Sequence, residues 1–149
     1  MTSIVRYRKH ITAYTIIELH QPESESGDRL TTELATLGDG FTYVAVPEGV
    51  VLPVQPDEIR PEEVVLTDEL REQIKHESPH VRLINKRIVE KIRQRYTADD
   101  ERKYAADTIN SAVYGEQLSQ SQETKRAAYM QYRNECVAWG KAQKAALGL

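Results

Sequence analysis

The sequence is poor in the residues that usually announce chemistry. Its 149 residues include one cysteine, one phenylalanine and one tryptophan. With Cys136 alone, no internal disulfide framework and no cysteine-clustered zinc site can be built, as fits a protein made in a reducing cytoplasm. No segment approaches the roughly eighteen continuous apolar residues that a membrane span requires. The start, Met1-Thr2-Ser3-Ile4-Val5-Arg6, lacks the charged stretch and apolar run of a signal peptide, so a soluble, unprocessed chain with no membrane partner is expected. Apolar residues make up 40% and charged residues 29%. This is a lean supply for one core, and it predicts that some apolar surface is buried only when copies or partners associate.

What is present is unevenly distributed. Residues 1–79 hold 7 Lys and Arg against 15 Asp and Glu, a net of −8, while residues 80–149 hold 13 against 8, a net of +5. The split fits two halves, or neighbouring copies, that attract each other. A +5 spread over seventy residues is too dilute to favour nucleic acid.

The β-branched and aromatic residues of 4–20 predict strand, interrupted by Arg8-Lys9-His10. Residues 21–28 are polar, contain Pro22 and Gly27, and read as a loop. A hairpin is expected over Leu34–Val46, turning at Gly38-Asp39-Gly40, with Phe41, Tyr43 and Ala45 on one face and Thr42, Val44 and Val46 on the other. Pro47, Pro53, Pro56 and Pro61 then forbid a helix or a central strand. Residues 47–66 are therefore an extended connector, held on the protein by Val50, Val51, Leu52, Val54 and Ile59.

From residue 67 the grammar is helical. Thr67-Asp68-Glu69 caps a helix running to about Glu77. Ser78-Pro79 restarts one that lasts to Tyr96, Thr97-Ala98-Asp99-Asp100 caps a third, and Gly115 ends it. A polar spacer, Glu116–Gln122, precedes a last helix from about Glu123 to Leu147. The expected fold class is α+β: a β-rich part (1–46), the connector (47–66) and a helical domain (67–149) forming a bundle or hairpin.

Two stripes stand out. Val81, Ile84, Ile88 and Ile92 recur at steps of three and four, broadened by Leu83 and Val89. Tyr129, Tyr132, Cys136, Trp139, Gln143 and Ala146 do the same on the last helix. Both read as packing surfaces, and Val81, Ile84, Ile88, Ile92, Tyr129, Tyr132 and Trp139 are the candidate protein-interface residues.

No catalytic, cofactor or metal site is expected. His76 and His80 are four apart, but Ser78-Pro79 breaks the helix that would align them, and no third ligand has a diagnostic spacing. Cys136, in the apolar seam, reads as a small core residue. Gly38-Asp39-Gly40 lacks the third glycine and the following helix of a phosphate cradle. Asp99-Asp100-Glu101 is a helix first turn rather than an acid–base set. Arg82, Lys86, Arg87, Lys91, Arg93 and Arg95 form a basic face opposite Ile84, Ile88 and Ile92, without a recognition-helix turn or a stacking set, so a solvated or carboxylate-paired face is expected.

The stretches Ser78–Asn85, Ile88–Arg93 and Arg95–Glu101, together with Tyr132–Leu149, resemble small proteins encoded among the tail genes of tailed bacteriophages and prophages. The likeness covers about 75 residues of the helical half and rests on capping and seam residues. Asp107 to Gln122 departs from it, being longer and more polar. The resemblance implies a non-enzymatic virion component of the tail, baseplate or fibre-attachment region, assembled in the host cytoplasm. Its partners would be other virion or tail-fibre proteins and further copies of itself. A tail-fibre assembly chaperone and a nucleic-acid-binding regulator are the alternatives.

Overall fold

The computed structural model describes residues 1–149 and contains four strands and four helices. Strands β1 (Ser3–Tyr7), β2 (Thr32–Thr36), β3 (Thr42–Val46) and β4 (Glu62–Val64) form one antiparallel sheet in the order β2-β3-β1-β4. Helices α1 (Asp68–Glu77), α2 (Pro79–Arg93), α3 (Ala98–Tyr114) and α4 (Gln120–Ala146) follow. The expected α+β class is what the chain adopts. Two compact units emerge, residues 1–83 with 143–149 and residues 84–142. That division differs from the tripartite one drawn from sequence character, because α1, the start of α2 and the C-terminal residues belong with the sheet.

The first unit is built around β3, a central strand with every residue buried. Alternation sends Val44 and Val46 to one face with Val5, Tyr7, Leu19 and Ile59, and Tyr43 and Ala45 to the other with Ile4, Leu34 and Ile74 of α1. Both faces are thus covered, one by irregular chain and one by helix. Leu147 and Leu149 pack on the helix-side cluster, and the Thr2 hydroxyl donates to the Ala146 carbonyl at 3.0 Å.

The hairpin is where the sequence placed it, but its turn differs. Only Gly40 takes positive φ (82°), while Leu37 and Phe41 close the loop with a 3.0 Å bond from the Leu37 amide. Asp39 accepts from the Phe41 amide at 2.8 Å and from the Tyr43 hydroxyl at 2.8 Å. The loop is therefore three residues long with glycine last, and the aspartate acts through its carboxylate rather than through a left-handed backbone. A bulge between Glu33 and Ala35 turns both Leu34 and Ala35 toward the Tyr43 side, after which Thr36 meets Thr42 on the opposite face at 2.8 Å.

Strand structure in 4–20 stops at Tyr7, short of the predicted extent. Beyond Arg8-Lys9-His10 only an isolated bridge, His10 to Ile16, persists, and Tyr14 and Ile16 are exposed. Leu19 then returns to the core, where its amide donates to the Tyr7 hydroxyl at 3.3 Å. The connector was expected to be extended throughout, yet it supplies β4, whose register pairs Ile4 with Val64 and Arg6 with Glu62. An edge strand tolerates the preceding proline, as a central one would not. Ile59 is buried and Val50 and Leu52 are partly so, whereas Val51 and Val54 face outward. The His20 backbone and Gln55 side chain exchange bonds of 2.7 and 2.8 Å that pin the connector down.

The caps follow local chemistry. The Thr67 hydroxyl accepts from the Leu70 amide, and Ser78, fully buried, sits ahead of Pro79 with its hydroxyl 3.5 Å from the Val81 amide. At Thr97 a complete capping box forms with Asp100. Replacing Thr97 with Ala is expected to cost about 1 kcal/mol in the second unit, read as a lower unfolding midpoint. The Thr97 backbone and then its side chain hold the Asp100 carboxyl below its ordinary value. A depressed carboxylate contributes stability that is fully present above its unfolded pKa and lost as pH falls through its folded pKa. Acid titration of Asp100→Asn should therefore lack the component of destabilisation that the parent shows in that window.

The last helix begins earlier than expected. The Ser119 hydroxyl accepts from the Gln122 amide at 3.1 Å, and the Gln122 side chain accepts from the Ser119 amide at 2.8 Å, so the polar spacer contains a second capping box. Gly115 (φ 67°) closes α3, and Gly148 (φ 80°) closes α4 through bonds from Gly148 to Ala145 and from Leu149 to Lys144.

Candidate protein-interaction surfaces

Of the seven candidate interface residues, Val81 is buried in the first unit, and the other six lie in the second. Ile84, Ile92 and Tyr129 are buried, and Ile88, Tyr132 and Trp139 are partly buried. The Ile84/Ile88/Ile92 stripe and the Tyr129/Tyr132/Cys136 stripe meet each other within the chain. Within the chain, then, α2 and α4 supply each other's missing half of a core, while Ile88, Tyr132 and Trp139 keep part of their surface exposed.

The contact is tight because Gly140 lies on it. A Cβ there would come 2.7 Å from Cγ1 of Ile88 and 3.7 Å from Cγ2 of Ile84. The seam runs Tyr132, Cys136, Gly140 at steps of four, and Gly140 is buried where Trp139 was the expected member. Trp139 instead sits at the margin, its ring 4.7 Å from the Lys91 ammonium. Gln143 and Ala146 are exposed, so the predicted seam ends at Gly140.

The rest of this core is phenolic. Tyr96 packs edge-on against Tyr104 (6.1 Å) and Tyr129 (5.1 Å), and Tyr104 stacks on Tyr129 at 5.1 Å. The hydroxyls are used: Tyr132 donates to the Lys91 carbonyl at 2.8 Å, and Tyr129 donates to Glu101 at 3.3 Å. Glu101 also accepts from Arg93, which links the end of α2, the start of α3 and the middle of α4. Burial, then the Glu101 charge, pushes the Tyr129 phenol up. Replacing Glu101 with Gln should lower the Tyr129 pKa in a spectrophotometric titration.

The basic face of α2 is mostly committed within the chain. Arg82 pairs with Glu77, Lys86 with Glu90 and Arg93 with Glu101, while Arg95 lies 4.8 Å over the Tyr132 ring. Glu77 ends α1, Glu90 lies one turn along α2, and Glu101 is in the first turn of α3. In the first unit, an open cleft of about 740 Å³ lies between the hairpin turn and α1, bordered by Asp39, Glu72, His76 and Glu77. Asp39 holds the turn, Glu72 pairs with Lys75 at 3.4 Å, and Glu77 pairs with Arg82 at 3.8 Å. His76 ends α1 and His80 opens α2, and no three His, Cys, Asp or Glu side chains gather as a metal-ligand group. No helix is long and apolar enough to cross a membrane.

Leu83 and Val89, expected to broaden the α2 stripe, are exposed instead. On α3, which has no fully buried residue, Ile109, Val113 and Tyr114 are 53%, 68% and 73% exposed. Sequence reasoning placed Ile109 and Val113 on that helix without seeing that it would leave them uncovered; the polar run Glu116–Gln122 beside them was the available signal. No protein family, no curated protein and no solved structure matches this chain.

Proposed function

We propose that this chain is a non-enzymatic structural protein of a tailed bacteriophage, occupying the tail, baseplate or fibre-attachment region and acting through protein–protein contacts. The observation that carries the reading is the resemblance of residues 78–101 and 132–149 to small tail-region proteins. The way those stretches are used supports it. Ser78 and Thr97 cap helices, Ile88 and Ile92 pack against α4, and Leu147 and Leu149 fill the helix-side core of the sheet. The resemblance thus falls on residues that make a scaffold, and the acids of the cleft between the hairpin turn and α1 are engaged in ion pairs or in the turn.

Mass spectrometry of purified particles from the phage that encodes the chain tests this. The chain is expected in mature virions, and its absence from them would sink the proposal in favour of a tail-fibre assembly chaperone. In that case, solubility of the co-expressed fibre protein should depend on the chain.

A further inference from the structure

Asp39-Gly40 is the chain's one Asp-Gly pair, and no Asn-Gly pair occurs. Glycine leaves its backbone nitrogen free to approach the carboxyl carbon of the preceding aspartate, because it has no Cβ to crowd the approach. Each of the other six aspartates precedes a residue with a side chain. When the Gly40 nitrogen attacks Cγ of Asp39, a C–N bond forms and a five-membered succinimide results. The amide proton leaves with the carboxyl hydroxyl as water. Water then reopens the ring. Attack at Cγ restores aspartate, whereas attack at the main-chain carbonyl carbon breaks that carbon's bond to nitrogen and gives isoaspartate. Water is lost and regained, and nothing is oxidised or reduced.

The native turn holds each participant in this reaction. The Gly40 amide donates to the Leu37 carbonyl at 3.0 Å. Oδ1 of Asp39 accepts from the Phe41 amide and Oδ2 from the Tyr43 hydroxyl, each at 2.8 Å. Nη1 of Arg8 reaches the Asp39 carbonyl at 3.3 Å. Burial, and then the bond to Asp39, pushes the Tyr43 phenol above its ordinary value, so it stays a donor at neutral pH. The carboxyl carbon can turn to the Gly40 nitrogen only when these bonds open. Asp39 is exposed, so water reaches the ring once it has formed.

We propose that Asp39 is a site of spontaneous isoaspartate formation, gated by local opening of the hairpin turn and restrained by the Tyr43 hydroxyl. The product carries its main chain through Cβ and Cγ, which lengthens a three-residue loop by one main-chain atom. Its carboxylate moves to the α-carbon, so neither Phe41 nor Tyr43 finds its acceptor in place. The residue that shapes the connection between β2 and β3 is therefore also the point at which that connection decays. This inference stands apart from the tail-protein reading, since the same turn would age alike in a protein of any role.

Prolonged incubation of the full chain at neutral pH, in water enriched in heavy oxygen, tests it. Peptide mapping by mass spectrometry separates isoaspartate from aspartate, and each ring opening leaves one heavy oxygen at residue 39. Both marks are expected at residue 39 ahead of every other aspartate. Tyr43→Phe should raise their rate about threefold to tenfold, the effect of one hydrogen bond on the opening equilibrium. Ile74→Val, which weakens the same unit without touching the turn, should leave the rate unchanged. Far-UV circular dichroism checks that the fold is kept, and Arg8→Ala, expected to act in the same direction, replaces Tyr43→Phe should that variant unfold. Absence of both marks from residue 39, or their faster appearance at another aspartate, would overturn the proposal. So would a Tyr43→Phe rate equal to the parent's. An Ile74→Val rate raised as far as that of Tyr43→Phe would overturn it too, since the turn's own bonds would then not set the rate.

Discussion

Ile74→Ala should lower the stability of the sheet-containing unit by about 2–5 kcal/mol, a large part of the 5–15 kcal/mol that typically holds a domain together. Ile74 is the one buried residue of α1 and is 0% exposed. It stands among Ile4, Leu34, Tyr43 and Ala45, so truncation opens a void that the sheet cannot close without moving β3, already covered on both faces. Leu66 and Leu70 are only partly buried on the same side and cannot replace the anchor. Denaturant unfolding followed by amide exchange of β2 and β3 measures the loss. Ile74→Val, which removes one methyl group, should cost about 0.5–1.5 kcal/mol and give an intermediate midpoint. If Ile74→Ala cost less than the valine variant, helix α1 would not be docked on the sheet as described.

Much of this arrangement was legible because it depends on chemistry within a few residues. Thr67, Ser78-Pro79 and Thr97 are caps whose partners lie three positions away, and each helix after them begins where the sequence places it. The faces of Phe41–Val46 followed from alternation, since both sides of β3 are filled as a period of two requires. Other features depend on partners distant in sequence. Pairing of β4 with β1 joins residues 62–64 to residues 4–6, and nothing in Glu62-Glu63-Val64 distinguishes three residues of edge strand from a loop. The bulge beside Leu34 places that side chain in one cluster with Ile74, forty residues further along the chain. The Ser119–Gln122 box was hidden by its own composition, since a run of Ser and Gln reads as spacer until the reciprocal bonds are seen.

The packing stripes were legible as stripes, but what each one packs against was not. Periodicity identifies which residues leave water, but it carries no information on whether the covering surface belongs to the same chain. Here Ile84, Ile88 and Ile92 turn toward α4, whereas Leu83 and Val89 on the same helix and Ile109 and Val113 on α3 stay exposed.

Gly140 makes the α2–α4 contact the most sensitive point of the second unit. Gly140→Val is expected to destabilise that unit by about 3 kcal/mol and Gly140→Ala by about 1–2 kcal/mol, even though alanine improves helix propensity by about 1 kcal/mol. The steric effect wins because the new Cβ meets two Ile88 carbons, Cδ1 and Cγ1, well inside the roughly 3.5–4.0 Å of a favourable carbon contact. Turning Cδ1 away leaves Cγ1 at 2.7 Å, and a β-branched side chain in a helix has essentially one χ1 to use. Either α2 and α4 separate or Ile88 abandons the core. Trp139, next to Gly140 and the chain's one tryptophan, gives a fluorescence signal from this unit alone. The decisive comparison is made in an Ile88→Ala background, where both obstructing carbons are gone. There Gly140→Ala should become stabilising by about 0.5–1 kcal/mol, since only the propensity gain remains. A change that reverses sign with the residue at 88 identifies close helix approach as the reason for the glycine. A Gly140→Ala effect of the same sign and size in both backgrounds would show that the backbone at 140, not Ile88, sets the requirement.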